Sequence, residues 1–275
     1  GATRWIAFGP FSIQPAEVMK FAFVIYLAAW LSSTKTRASS FEKGGIRQTS
    51  ITAGLLPFLA LSGIIGVLLV LQPSTTAFVI IMASGIIVYF VSGARLTFIA
   101  SIMAVGIVGL MLLVYLTPYR FERISAFLNQ NDNAQSTNYQ LNQSLTSIGS
   151  GGVWGIGFGE SISKYKFLPE PIGDSIFAVI AEELGFAGAL VVMVLFMGLC
   201  VSGLRIAKRS TDQFAKLTVV GFISVISIQA FIHIAAISGI APLTGIPLPF
   251  ISYGGTSLAI FLTMSGIIGN ISKYT

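Results

Sequence analysis

Apolar residues fall along this chain in long blocks with short polar interruptions, a pattern too extended for strands and too continuous for the one-faced helices of a water-soluble core. A helix that crosses a bilayer needs about 20 mostly apolar residues. The stretches 16–32, 51–71, 76–93, 96–116, 184–204, 215–238 and 251–270 meet that length, which predicts seven spans and chain ends on opposite faces. Between the fourth and fifth lies a segment, 117–174, with no spanning block. Connections of such length are disordered or functional. Trp154, several Phe and Tyr, and the amphipathic run "YQLNQSLTSI" argue for a loop folded onto the membrane surface, with a short interfacial helix. Phe186–Leu204 is uncharged over 19 residues, about 28 Å at 1.5 Å per residue, and can cross alone. Residues 174–183, in "DSIFAVIAEELG", are therefore expected to form a short outer or re-entrant helix ahead of it.

Composition agrees with a membrane chain: 54% of residues are hydrophobic and 9% charged, too much apolar surface for an ordinary soluble core. The net charge of +6 does not come from a basic run interleaved with aromatics, so nucleic acid is not an expected partner. It reads as a topology signal. Lys35, Arg37, Lys43, Arg47, Arg95, Arg205, Lys208, Arg209, Lys216 and Lys273 fall on one side. Arg4, Arg120, Arg123, Lys164 and Lys166 are all the other side holds, in far more loop. The first side is expected to be cytoplasmic, which puts Gly1 outside and Thr275 inside. Gly1 is not an initiator Met and no signal peptide follows it, so the chain is expected to be the interior and end of a longer one. The single Cys200 excludes an internal disulfide framework and a Cys-based metal site.

Candidate chemistry starts from the acids. Of ten in the chain, Glu170, Asp174, Glu182 and Glu183 share one short window at the expected outer interface. Asp174 can cap the following helix or, flanked by Gly173, act as a general base. An ordinary carboxylate titrates near 4 and is a weak base, so that role needs burial or a neighbouring charge. Glu182 and Glu183 fit a loop–helix junction. "GSGGVWGIGFG", 149–159, lacks the spacing of nucleotide-binding loops and reads either as a turn that lets backbones approach or as amides for a phosphate. "QPAEVMK" puts Glu17 and Lys20 on one helix face, as a structural ion pair or a cavity wall. Arg4 could meet a phosphate or anchor beside Trp5. His233, the only histidine, reads as a packed, hydrogen-bonded residue. "PLPFISYGG", 247–255, is a broken approach to the last helix, the kind of backbone tolerated where it lines a cavity.

Four ordered stretches together resemble the SEDS family (shape, elongation, division and sporulation), whose members include FtsW, RodA and SpoVE. They are "GATRWIAFGPFSIQPAEVMK", "YRFERISAFLN", the run from "YQLNQSLTSI" to "EPIGDSIFAVIAEELGF", and "PLPFISYGGTSLAIF". The loop and "PFISYGGTSL" look closer to the FtsW/SpoVE branch. The resemblance implies an all-α polytopic membrane protein with a long extracytoplasmic loop, here the last seven of ten spanning helices. It implies a peptidoglycan glycosyltransferase that polymerises lipid II at the outer face of the cytoplasmic membrane. The expected partners are a class B penicillin-binding protein transpeptidase and other cell-division or elongation membrane proteins. The family's essential aspartate matches Asp174, its "QPxExxK" pair matches Glu17 and Lys20, and its loop arginine matches Arg4. Gln72, Glu170, Ser252 and Gly254 join these as expected substrate contacts. A divalent cation, Mg or Mn, bridging Asp174 to a phosphate is a further expectation. The chain departs from the family where "IGDS" replaces "HTDF", where Ser74 replaces an aspartate after Gln72–Pro73, and where "HIAAISGIAP" lacks asparagines. A lipid II flippase and a non-catalytic scaffold are the competing classes. The gathering of acids on one face, rather than through the membrane depth, favours a surface enzyme.

Overall fold

The computed structural model describes residues 6–8, 11–41, 62–66, 68, 72, 74–93, 96–115, 117, 121, 127 and 136–275. A small antiparallel hairpin comes first, β1 (Ile6–Phe8) with β2 (Phe11–Ile13), Ile6 opposite Ile13. Among the described residues the helices include α1 (Pro15–Phe41), α2 (Thr75–Val91), α3 (Leu96–Tyr115), α4 (Ser136–Ser150), the single turn α5 (Ser163–Lys166), α6 (Ile176–Arg209), α7 (Gln213–Ile237) and α8 (Gly255–Ser272).

Among the described residues, Pro15–Ser33 of α1 and the whole of α6, α7 and α8 are long and apolar enough to cross a bilayer, and α2 and Ile99–Gly109 of α3 are shorter apolar helices. The expected span at 51–71 lies mostly outside the described residues. Helix α8 begins at Gly255, later than the apolar pattern alone suggests. The reason is local: the amides of Ile251 and Ser252 both bond the Leu248 carbonyl in a tight turn, with Phe250 at φ 66°.

The chain divides into two compact units. One comprises Gly1–Met103, Leu199–Ile228 and Gly255–Thr275. In it α1 packs on α2 and α8. Val24, Leu27, Ile80, Ile81, Phe222 and Phe261 are fully buried, and Phe21 stacks on Phe222 at 5.3 Å. Gly221 allows the close approach, since a Cβ there would sit 2.3 Å from Val24 Cγ1.

The second unit comprises Ala104–Gly198 and Gln229–Gly254. Its organising feature is a break inside α6, where Gly185 has φ 68° and ψ −170°, a conformation all but restricted to glycine. A broken helix leaves amides and carbonyls without partners, and these must be satisfied where water is absent. The glycine-rich loop supplies them. Phe186 and Ala187 amides donate to the Gly152 and Val153 carbonyls, while Ile156 and Gly157 amides donate to those of Glu182 and Glu183, at 2.9–3.1 Å. Such contact requires missing side chains: a Cβ on Gly151 would lie 2.0 Å from the Ala181 carbonyl oxygen, and one on Gly155 2.1 Å from that of Glu183. The glycine cluster of the sequence is thus a close-packing device.

Candidate active site

The acids cluster at the amino-terminal end of α6, and they divide into two kinds. Glu182 is buried and accepts hydrogen bonds from the hydroxyls of Ser161 (2.6 Å) and Ser163 (3.0 Å). Glu183 pairs with Lys164 at 2.7 Å, and the same ammonium donates to the Gly159 carbonyl at 2.8 Å. The hydrogen bond to Glu183 holds the Lys164 ammonium above its ordinary value of 10.5. Both glutamates have their oxygens committed to fastening residues 159–164 onto α6.

Asp174 is placed differently. It stands at the end of "LPEPIGDS", a turn built around the Glu170 carbonyl, which accepts from the amides of Gly173 and Ser175, both at 3.1 Å. Glu170 is held at φ 47°, a left-handed conformation that is uncommon outside glycine. The Ser175 hydroxyl donates to the Pro169 carbonyl at 2.9 Å and accepts from Gln140 of α4 at 3.2 Å. The segment before α8 braces the turn from its other side. Ser252 is buried, donates to the Gly173 carbonyl and accepts from the Leu248 amide, both at 2.7 Å, and the Tyr253 amide donates to the Ile172 carbonyl at 2.8 Å. The backbone on both sides of Asp174 is therefore fixed.

Its carboxylate borders a small cavity of about 10 Å³, the room of one water molecule. Gln140, His233, Thr244, Gly245 and Ile246 also line it. Gly245 has φ 60°, and a Cβ there would reach within 3.2 Å of Asp174 Oδ2, so any larger residue would press on the carboxylate. His233 is buried and its Nδ1 lies 2.7 Å from the Ile246 carbonyl, an acceptor, so Nδ1 carries the proton. Nε2 is buried with no hydrogen-bond partner among the described residues.

The two units divide the expected site residues. Asp174, Glu170, Ser252 and Gly254 belong to the second; Glu170 is exposed and Gly254 half-buried ahead of α8. Glu17, Lys20 and Gln72 belong to the first. Glu17 and Lys20 form a buried pair at 2.6 Å, with Lys20 Nζ 5.5 Å from the centre of the Phe261 ring. Glu17 Oε2 has no hydrogen-bond partner among the described residues. The backbone N–H of Gln72 donates to the Leu68 carbonyl at 3.1 Å. Arg4 lies outside the described residues. Sequence reasoning did not single out Gln140, Thr244 or Gly245, which reach Asp174's surroundings from distant parts of the chain. The only signal was indirect: a polar face on "YQLNQSLTSI" and a glycine among prolines.

Among the described residues no group of three His, Cys, Asp or Glu could hold a metal ion. The cavity has one acidic residue in its lining, Asp174, with the polar residues Thr244 and Gln140 beside it. Mg and Mn take hard oxygen donors, keep several waters and bind through one or two carboxylates together with substrate phosphates, so a single carboxylate is the protein's share of such a site.

Helices of spanning length and a carboxylate on a braced turn ahead of α6 define a polytopic membrane protein with a polar site at a helix terminus. The family model for FtsW, RodA and SpoVE, described as cell cycle proteins, matches residues 1–275, and the chain belongs to that family. Stage V sporulation protein E of Bacillus subtilis is 38% identical over 275 residues, covering 100% of this chain and 72% of the relative. A probable peptidoglycan glycosyltransferase FtsW of Trichlorobacter lovleyi is also 38% identical, over 99% of this chain and 69% of its own. A chain from a peptidoglycan synthase complex that coordinates polymerization and crosslinking matches at TM-score 0.74 and 25% identity, covering 100% of this chain and 74% of that one. The rod shape determining protein RodA of Thermus thermophilus shares the fold at TM-score 0.64 and 24% identity, over 99% and 70% of the two chains.

Proposed function

We propose that this chain is a peptidoglycan glycosyltransferase that polymerises glycan strands from lipid II at the outer face of the cytoplasmic membrane, with Gly1 outside and Thr275 in the cytoplasm. The observation that carries the reading is Asp174. It borders a cavity between backbone segments braced from two sides, whereas Glu182 and Glu183 are engaged by Ser161, Ser163 and Lys164. Relatives named as probable peptidoglycan glycosyltransferases support the reaction class.

In this reading Asp174 accepts the proton of an acceptor sugar hydroxyl. The hydroxyl oxygen bonds to the donor's anomeric carbon as the bond from that carbon to the diphosphate breaks, with inversion. Undecaprenyl diphosphate leaves with the electron pair. Its growing negative charge calls for fixed positive charge, which Arg4 and Lys20 would supply, with Glu17 orienting Lys20. Gln72, Glu170, Ser252 and Gly254 are proposed as substrate contacts. Asp174 would hold a divalent cation, Mg or Mn, together with the diphosphate; when bound, the cation would add charge for the leaving group. A class B penicillin-binding protein is the proposed partner, in keeping with the synthase complex that the fold matches. Other cell-division or elongation membrane proteins would complete the assembly.

The test is lipid II polymerisation by purified full-length protein with its transpeptidase, comparing wild type with Asp174→Asn, with and without a chelator. Polymer from wild type alone is expected, and loss with chelator would add the cation. Normal polymer from Asp174→Asn would remove the base. No polymer from either, with lipid II crossing proteoliposome membranes, would make the protein a flippase.

A further inference from the structure

The glycine-rich loop leaves large apolar side chains uncovered. Trp154 is 83% exposed and Phe158 87%, and Val153, Ile156 and Ile162 are exposed as well. Exposed apolar surface of this kind marks a contact with a protein or a membrane. Position decides between them. Trp154 lies between Val153, whose carbonyl accepts from the Ala187 amide, and Ile156, whose amide donates to the Glu182 carbonyl. Phe158 follows Gly157, which is bonded to Glu183. The loop is thereby held at the level of α6 where the uncharged run beginning at Phe186 starts, and that run is about as long as the hydrocarbon core is thick. From there α6 turns Phe186, Leu190, Val191, Val194 and Leu195 outward, a face suited to lipid. Aromatic residues, Trp above all, settle at the boundary between hydrocarbon and headgroups.

We infer that residues 153–158 form a membrane-interface anchor, with Trp154 and Phe158 inserted among the lipids of the leaflet at the Phe186 end of α6. The anchor does not depend on the chemistry at Asp174. It gives the glycines a second consequence: by letting the loop lie against the helix, they set the depth of its aromatics. Lys164, whose ammonium is tied to Glu183 and Gly159, keeps the next part of the loop at the same junction.

The experiment is tryptophan quenching in proteoliposomes of phosphatidylcholine, taking the difference between wild type and Trp154→Phe so that other tryptophans cancel. Lipid brominated near the headgroup end of its acyl chains is expected to remove most of the Trp154 emission that lipid can quench, lipid brominated near the chain terminus to remove less, and aqueous iodide to have little effect. Phe158→Trp in the Trp154→Phe background should report the same depth, and covers the case in which position 154 alone is atypical. Iodide quenching at both positions with no effect of brominated lipid would overturn the anchor. That result would show a water-facing patch of the kind a protein partner covers.

Discussion

Ser252 and His233 show how much of the site depends on individual hydrogen bonds. Ser252→Ala leaves the Leu248 amide and the Gly173 carbonyl without the hydroxyl that joins them. A buried polar group stranded in this way costs about 1–3 kcal/mol. The stability loss should come with a larger loss of polymerisation, because the freed carbonyl immediately precedes Asp174; an unchanged rate in a destabilised protein would show that the clamp does not position the acid. His233→Ala strands the Ile246 carbonyl, again at about 1–3 kcal/mol. His233→Asn, whose amide can also donate, should recover part of this, as read from thermal unfolding in detergent. The Lys164–Glu183 pair has a defined pH window. On the alkaline side the raised lysine keeps its contribution complete up to 10.5, and that contribution is lost as pH rises through the higher folded value. Amide exchange at Gly157 should therefore gain no pair-dependent component until the solution is more alkaline than that.

Among elements, the junction of the glycine loop with α6 separates positions that composition cannot distinguish. Gly185→Ala forces a side chain into a conformation that costs about 1–3 kcal/mol by itself, and aims its Cβ at the Gly155 amide nitrogen, 2.3 Å away. Gly149 has open space around it. Gly149→Ala should leave the protein as stable as wild type while Gly185→Ala fails to fold or loses protection at Phe186 and Ala187; equal tolerance at both would show that the junction does not hold the break. The sequence made the existence of a close-packing turn readable, because so many glycines in so few residues have few other uses. Its partner was not readable. The backbone that meets Gly151 and Gly155 is some thirty residues away, and a strand-like exchange of hydrogen bonds between a loop and a broken helix leaves no periodicity behind.

At the scale of the whole molecule, the four helices of spanning length among the described residues were legible because a bilayer imposes a length and an apolar content on any helix that crosses it. The acids at the end of α6 stood out because charge is so scarce elsewhere in the chain. Which acid faces a cavity was not legible, since that depends on Gln140, His233 and Gly245 arriving from separate elements. The pair of Glu17 and Lys20 was visible from spacing alone, and its burial gives it a consequence for the entire fold. Removing one partner of a buried ion pair leaves an uncompensated charge and destabilises by about 3–5 kcal/mol, whereas replacing both with apolar residues of similar size is often neutral. Lys20→Met and Glu17→Leu should each lower the unfolding temperature markedly, and the double variant should regain most of the loss. The two roles then separate cleanly. If the pair only holds α1 in its unit, the restored double variant polymerises glycan; if Lys20 meets the leaving diphosphate, the double variant is stable and inactive, and the second outcome is the one expected here.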